Sequence, residues 1–513
     1  MTQPLRSNVL LAALGGVLHF LGFIGFGVWP LALVCLVPLW LALDAVAPGW
    51  LRAAGLGLVF GWVSYAGGYV WIWRIVDVFL GGDVWLGAAL WLGDSIWFAL
   101  RYALYALGYV WLRRCGRSVA VSGILPLLIV EWRYPMLFPV YLGHALGDQL
   151  TFIQLADLGG PLLLSALVGL ANAAMLELWH YARGRDWRPH VVLAGALVAA
   201  GAAAYGRVRM EAVAAAVVRA PALRVGIVQA NLGVQEKGQR AAQDHARYLE
   251  QTRALLAEGP LDLIVWPETV YTRGLRGPLP IDAGLVRQEI ATPLLFGGVY
   301  VDPATAPPLV YNAAVQVDAD GVIRSAYRKH LLIPFTEYVP FAEWWPSLAA
   351  RFDSAAHFAA AAPGGFDPTT TVRVDGHGIA TPICYEAVRP DLVGSLMRIG
   401  QAELIVTLAN DAWFGDSQEP ALHLAMARMR AVEHRRFLVR ATNSGISAVV
   451  DPNGRIIAQS GLMEAANLRA TVAWLDLPAL YTRLRDWPGA AALFLFVVLS
   501  RDPRRATRPR PAG

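Results

Sequence analysis

Two regimes of hydrophobic patterning divide the chain. From Asn8 to about Tyr205, apolar residues run in long blocks of Leu, Ala, Val, Gly and Trp with few charges. From about Ala222 to Leu477 the apolar runs are short, often alternating, and broken by charges and turn residues. A last apolar run, Ala490 to Leu499, precedes a basic tail. A membrane-crossing helix needs about 20 mostly apolar residues, because the hydrocarbon core is about 30 Å thick. On that measure the blocks predict helices at roughly 9–27, 30–48, 53–73, 85–112, 118–135, 152–180 and 190–206, and an eighth at 487–500. The expected architecture is a multi-span α-helical membrane bundle of about eight helices carrying an α/β domain: a bundle over 1–210, a globular domain over 222–478, and a last helix with a basic tail over 487–513.

Within the globular stretch, Leu223 to Gln229 (LRVGIVQ) reads as a strand and Ala241 to Ala257 as a charged helix. Leu261 to Trp266 is a second buried strand that stops at Pro267-Glu268, and Leu294 to Val301 and Asn312 to Val317 continue the pattern. Turn sequences at Asp318-Ala319-Asp320-Gly321, Asp375-Gly376 and Asp451-Pro452-Asn453-Gly454 predict hairpins. Gln418 to Arg436 is helical, with Leu422, Met426 and Met429 on one face. Sheets covered by helices follow.

Composition and charge sharpen this division. Charged residues make up 16% of the chain, against about 25% in soluble proteins. The net charge of +5 could suggest nucleic acid, but the arginines sit at the ends of apolar segments, and nucleic-acid binding is set aside. With the N-terminus in the cytoplasm, the inside positions hold Arg6, Arg52, Arg113, Arg114, Arg117, Arg183, Arg185, Arg188 and the tail from Arg501 to Arg510, whereas the short outside loops hold little beyond Arg74 and Arg133. This bias orients the bundle. Seven spans put the globular domain across the membrane, in the periplasm of a Gram-negative cell, and the eighth returns the tail, leaving both termini cytoplasmic. The first apolar run passes directly into a second one, so it is not read as a cleavable signal peptide. Asp94 and Glu131, inside apolar blocks, are read as interfacial or internally hydrogen-bonded residues rather than as a polar pathway. The three cysteines, Cys35, Cys115 and Cys384, suggest neither a disulfide framework nor a metal cluster.

Candidate chemistry gathers where strands end. Glu268 follows LIVW, Lys329 ends the second arm of a hairpin, Cys384 follows Ile379-Ala380-Thr381-Pro382-Ile383, and Asn410-Asp411 follow Leu404 to Leu408. In open α/β sheets the strand ends form the ligand crevice. A thiol attacks an acyl carbonyl only as thiolate. A neighbouring glutamate can take its proton, and an ammonium can face the developing oxyanion. Alone, each residue has a bland reading: a small core cysteine, a solvated turn glutamate, a surface lysine. The combination points to acyl transfer.

At these residues the chain resembles the nitrilase superfamily, on the segments Trp266-Pro267-Glu268-Thr269, Tyr327-Arg328-Lys329-His330-Leu331-Leu332-Ile333-Pro334-Phe335 and Ile383-Cys384-Tyr385-Glu386. It resembles in particular the membrane-embedded apolipoprotein N-acyltransferase branch. The added segments are Thr336-Glu337-Tyr338-Val339-Pro340-Phe341, Asn410-Asp411-Ala412-Trp413-Phe414-Gly415, and Met426 to Ala431 running on to Arg440-Ala441-Thr442-Asn443-Ser444-Gly445. The resemblance implies a nitrilase-type α-β-β-α sandwich, with Cys384 as nucleophile, Glu268 as general base and Lys329 as oxyanion stabiliser. It further implies Glu337 as a second essential carboxylate, with Tyr385, Glu386 and Asn312 in support. The implied reaction is ping-pong. A phospholipid, typically phosphatidylethanolamine, acylates the cysteine, and the α-amine of a diacylglyceryl-cysteine at the N-terminus of an apolipoprotein takes the acyl group. No metal or organic cofactor is implied. The bulky residues after Lys329, among them Phe335, Tyr338, Phe341, Trp344, Trp345, Phe352 and Phe358, suit contact with lipid or packing against the bundle. Of these, Phe335, Tyr338, Phe341 and Trp344, with Trp413 and Phe414, are expected to bind substrate. A membrane-tethered amidase that hydrolyses its thioester is the alternative; a transporter with a degenerate domain would leave the intact triad unexplained.

Overall fold

The computed structural model describes residues 5–23, 25–45, 49–73, 84–232, 241–304, 306, 308–334, 337–339, 344 and 371–501. The chain divides into two compact units, residues 1–210 with 484–513, and residues 211–483.

The first unit is built from helices Leu5–Leu21, Leu36–Ala45, Trp50–Gly68, Val84–Arg114, Val119–Arg133, Ala156–Ala182 and Trp487–Leu499, together with most of Pro189–Arg219. Each predicted apolar block contains a helix, but the bounds differ. The first helix stops at Leu21, and Gly25 and Gly27 beyond it take φ of 98° and 79°, a region that residues with a Cβ adopt at a cost. The 30–48 block splits into a 3-10 turn, Trp29–Leu33, and the helix Leu36–Ala45. The 190–206 block extends to Arg219.

Among the described residues, two helices of the eight expected spans, Ala156–Ala182 and Pro189–Arg219, are long and apolar enough by themselves to cross a membrane. The others are shorter or carry polar groups that pack inside the unit. Val84–Arg114, for example, includes Asp94 and Arg101. The buried Arg101 donates to the Val140 carbonyl at 2.8 Å and lies 3.8 Å from Glu131, which accepts the Leu142 N–H at 2.7 Å. His19 joins Ser64 at 2.5 Å and Tyr102 at 2.8 Å. Buried charges persist where they are paired and hydrogen-bonded, and Glu131 is internally bonded.

Among its described residues the second unit has fourteen strands: β1 (Ala222–Gln229), β2 (Leu263–Val265), β3 (Tyr271–Arg276), β4 (Ile281–Asp282), β5 (Leu294–Asp302), β6 (Leu309–Val317), β7 (Val322–Arg328), β8 (Val372–Val374), β9 (His377–Ala380), β10 (Ala402–Ala409), β11 (Phe437–Thr442), β12 (Ala448–Val450), β13 (Ile456–Gln459) and β14 (Ala466–Ala473). One sheet has the order β14-β1-β2-β5-β6-β7-β4, with β3 also on β5; the other has the order β13-β12-β11-β10-β9-β8. The pairs β1–β2, β2–β5, β3–β5, β9–β10 and β10–β11 are parallel. The three predicted turns close the hairpins β6–β7, β8–β9 and β12–β13.

Alternation along the strands explains the layers, since successive side chains point to opposite faces. Leu223, Val225, Ile227, Leu263 and Val265 from one sheet pack with Leu404, Val406, Leu408, Phe437 and Val439 from the other. Their neighbours in sequence turn outward. Val228, Ile264, Leu294 and Phe296 pack under Tyr248, Leu249 and Leu255 of the helix Ala241–Ala257. Ile405, Leu438 and Val450 pack under Val393 and Met397 of Pro390–Ile399 and under Ala427 and Ala431 of Glu419–His434. Two sheets face to face with helices outside both make four layers, α-β-β-α. Central strands buried on both faces read as continuous apolar runs, as Leu404 to Leu408 does.

Candidate active site

Glu268 lies in the loop leaving β2, held against β5 by backbone bonds. The Gly297 N–H donates to the Pro267 carbonyl at 3.0 Å, and the Val270 N–H to the Gly297 carbonyl at 2.7 Å. A Cβ on Gly297 would lie 2.5 Å from the Glu268 Cα, so this close approach requires glycine. Lys329 follows β7 directly, and its N–H donates to the Asn312 carbonyl in β6 at 2.8 Å. One hairpin therefore fixes both residues.

The side chains converge. Lys329 Nζ donates to Glu268 Oε1 at 3.1 Å and to Glu337 Oε1 at 2.9 Å. Asn312 Nδ2 donates to the same two oxygens, at 2.7 and 3.1 Å. Glu337 Oε2 accepts the Ile333 N–H at 2.9 Å. All four residues are buried, Lys329 to 1% exposure. Burial opposes the charged lysine, but Glu268 and Glu337 outweigh it and hold its pKa well above the usual range, with Cys384 and Glu386 adding to the effect. Lys329 is thus an ammonium fixed between two carboxylates.

Cys384 opens a 3-10 turn, Cys384–Val388, just after Ile383 bridges to Leu408 in β10. Its φ is 52°, a left-handed conformation that costs a residue with a Cβ and recurs at reactive positions. Cys384 is 5% exposed. Burial pushes the thiol well up, and the negative charge of Glu268 pushes further, against the pull of Lys329. The resting group at neutral pH is the thiol.

Glu386 braces this turn. Its Oε1 accepts the N–H groups of His330 and Leu331 at 2.7 and 2.9 Å; its Oε2 accepts the Ile383 N–H at 2.9 Å and the Tyr327 hydroxyl at 2.8 Å. The carboxylate thus ties the segment after Lys329 to the residue before Cys384. Burial raises its pKa to about 7, against the Ile383 N–H, Lys329 and the other two N–H groups, which favour the charge. Tyr385 is buried, and its hydroxyl accepts from Arg389 at 3.3 Å.

Glu268, Lys329, Glu337 and Asn312 therefore meet through direct hydrogen bonds, Glu268 and Lys329 from just beyond strand ends and Asn312 from within β6, while Cys384 and Glu386 act on Lys329 through their charge. Among the expected substrate-binding aromatics, Tyr338 is 39% and Trp344 84% exposed, Trp413 is half-buried and Phe414 buried. Phe335 and Phe341 lie outside the described residues, as do Trp345, Phe352 and Phe358.

Beside this site lies a group of which the sequence pattern brings out Asp411 but not His423. His423 of the helix Glu419–His434 reaches the Cys384 carbonyl with Nε2 at 3.1 Å and Asp411 with Nδ1 at 3.1 Å, and Asp411 accepts from Arg440 at 2.7 Å. The signal for His423 is a histidine three residues before Met426 in an otherwise apolar-faced helix. Asp411, Glu419 and His423 place ligand-type atoms within 4.8 Å of one another. The Arg440 guanidinium already supplies the positive charge at Asp411.

Residues 224–474 match the carbon-nitrogen hydrolase family, the class that a buried Glu–Lys–Cys set on an α-β-β-α sandwich defines. Residues 15–174 match the apolipoprotein N-acyltransferase N-terminal domain. The chain is 34% identical to the apolipoprotein N-acyltransferase of Azotobacter vinelandii, across 100% of this chain and 98% of that one. It is 30% identical to that of Pseudomonas syringae pv. tomato, across 96% of each. The chain belongs to the apolipoprotein N-acyltransferase family. Among solved structures it is similar to Saccharomyces cerevisiae Nit3, a nitrilase superfamily member, with 17% identity and a TM-score of 0.38 over 52% of this chain and 95% of that one.

Proposed function

We propose that this enzyme moves a fatty acyl group from a membrane phospholipid, through a thioester on Cys384, to the α-amine of the N-terminal diacylglyceryl-cysteine of an apolipoprotein. The observation that carries the chemistry is the Lys329 ammonium bonded to both Glu268 and Glu337 within electrostatic reach of the Cys384 thiol. Kinship along the whole chain supports the choice of substrates.

In the first half-reaction Glu268 takes the thiol proton as sulfur attacks the ester carbonyl. Lys329 faces the oxyanion. The C–O bond to glycerol breaks, and the lysophospholipid leaves with the proton from Glu268. In the second, the α-amine attacks the thioester, Glu268 accepts the amine proton, and the C–S bond breaks to return Cys384 as thiol. Glu337 and Asn312 hold Glu268 and Lys329 in place. Glu386 and Tyr385 support the nucleophile turn.

The lipid donor, with phosphatidylethanolamine as the preferred class, fits a chain rich in apolar helices. Eight spans over 1–210 and 487–513, the catalytic domain 222–478 in the periplasm and both termini in the cytoplasm complete the proposal, resting on the Arg distribution. Tyr338 and Trp344 offer exposed aromatic surface for acyl chains or headgroups.

The test is to incubate the purified protein with phospholipid and a diacylated lipopeptide and to follow acyl-Cys384 and N-acylated peptide by mass spectrometry. Both products, lost in Cys384→Ala, are expected. Free fatty acid without N-acylated peptide would favour a tethered hydrolase, and absence of any adduct would end the acyl-enzyme mechanism.

A further inference from the structure

A second buried charged cluster, unused in the steps above, touches the nucleophile from behind. Asp411 follows β10, Arg440 lies in β11, and Glu419 and His423 share the helix Glu419–His434; all four are at most 2% exposed. Arg440 holds Asp411 Oδ2 at 2.7 Å, and Asp411 Oδ1 meets His423 Nδ1 at 3.1 Å. A Cβ on Gly445 would sit 2.2 Å from Asp411 Oδ2, so the chain leaves space for this carboxylate. Burial works to raise Asp411, yet Arg440 and His423 hold it below the ordinary carboxylate range. Burial and the charge of Asp411 push Glu419 well up, against the pull of Arg440. The chain of contacts ends where His423 Nε2 meets the backbone carbonyl of Cys384 at 3.1 Å.

We propose that His423 is a positioning residue for the acyl-transfer site: it clamps the carbonyl of Cys384 and so aims the Tyr385 N–H at the acyl oxygen. The Cys384 carbonyl and the ionised Asp411 only accept, so both ring nitrogens carry a proton and donate; His423 is an imidazolium paired with Asp411, against burial and the Arg440 charge, which favour the neutral ring. The peptide is planar and trans, so the Tyr385 N–H points away from that carbonyl, on the side opposite His423. Fixing one end of the peptide fixes the other. The clamp matters because Cys384 has φ of 52° and does not keep this peptide orientation by local preference. Arg440 fixes Asp411, Asp411 fixes the ring through Nδ1, and the ring fixes the nucleophile's peptide, as outer hydrogen bonds orient a histidine elsewhere. This inference rests on the proposed acyl-enzyme.

The test uses the full-length enzyme with His423→Gln and His423→Asn. The Gln amide reaches the position of Nε2 and keeps the donor to the Cys384 carbonyl; the Asn amide reaches only the position of Nδ1 and loses it. Three quantities are read: kcat and KM for lipopeptide N-acylation, the nitrophenol burst on acylation of Cys384 by a p-nitrophenyl ester, and alkylation of Cys384 by iodoacetamide, which develops no oxyanion. Losing one aligned oxyanion donor costs about 100-fold or more in kcat. His423→Asn is therefore expected to lower kcat and the burst rate about 100-fold, with KM and the alkylation rate within about twofold of wild type. His423→Gln is expected to recover at least about tenfold. Equal activity of the two variants, or a loss in the burst matched by an equal loss in alkylation, would overturn the proposal. The ester burst reads Cys384 acylation whatever the natural substrates are. A wild-type enzyme that bursts but makes no N-acyl peptide counts against the proposed function and not against His423.

Discussion

Replacing Glu386 by Gln tests whether the nucleophile turn is set by hydrogen-bond satisfaction. In the native unit four donors meet this buried carboxylate, two at each oxygen. Gln keeps the shape but has one acceptor atom. With its amide nitrogen toward His330 and Leu331, two backbone N–H groups lose their acceptor. With the nitrogen toward Ile383 and Tyr327, the tyrosine hydroxyl can accept instead and donate to His330 Nδ1, 3.2 Å away. Only the Ile383 N–H is then orphaned. A buried donor left unpaired costs about 1–3 kcal/mol, so Glu386→Gln should lose about that much stability. Glu386→Ala strips all four donors and should lose several times more. The orphaned N–H belongs to the residue preceding Cys384, so part of the same energy should appear on the barrier, as roughly a 5- to 100-fold fall in N-acylation rate. Dye-monitored melting in detergent and lipopeptide N-acylation rates read the two effects. Gln and Ala variants of equal stability, or a Gln variant indistinguishable from wild type, would refute the reasoning.

Lys329→Met leaves Glu268 and Glu337 buried together without their cation. Breaking such a group costs about 3–5 kcal/mol, and the variant should melt well below wild type and form no acyl-Cys384 by mass spectrometry. Gly297→Ala puts a methyl group 2.5 Å from the Glu268 Cα. Overpacking of this kind costs about 1–3 kcal/mol, and a turnover loss larger than the change in melting predicts is expected because Glu268 is displaced. Cys384 has a thiol pKa well above the ordinary value, so the thiolate fraction is small at neutral pH and grows as pH rises. Its iodoacetamide alkylation should climb about tenfold per unit between pH 7 and 9, and a plateau by pH 8 would mean a pre-formed thiolate.

Local pattern sufficed for the two regimes, for β1, β2, β5, β6 and β10 with the three hairpin turns, and for Glu268, Lys329 and Cys384 as candidates, but not for β3, β4, β11 or β14. Alternation of period two, turn residues and short motifs are written in neighbouring positions, and the inner and outer faces of β1, β2 and β10 follow from them. Span bounds were less legible: the first helix stops at Leu21 while the apolar pattern runs on. Polar residues such as Glu131 looked anomalous until Arg101 and the Leu142 N–H, distant in sequence, supplied their partners. Packing, and no local pattern, brings Asn312 onto both Glu268 and Glu337, gathers donors at Glu386 from two segments some fifty residues apart in the chain, and sets His423 against the carbonyl of Cys384. Each depends on which strands lie side by side. A hydrogen bond needs its atoms within about 3 Å, and only the packed sheets bring such remote residues to that distance.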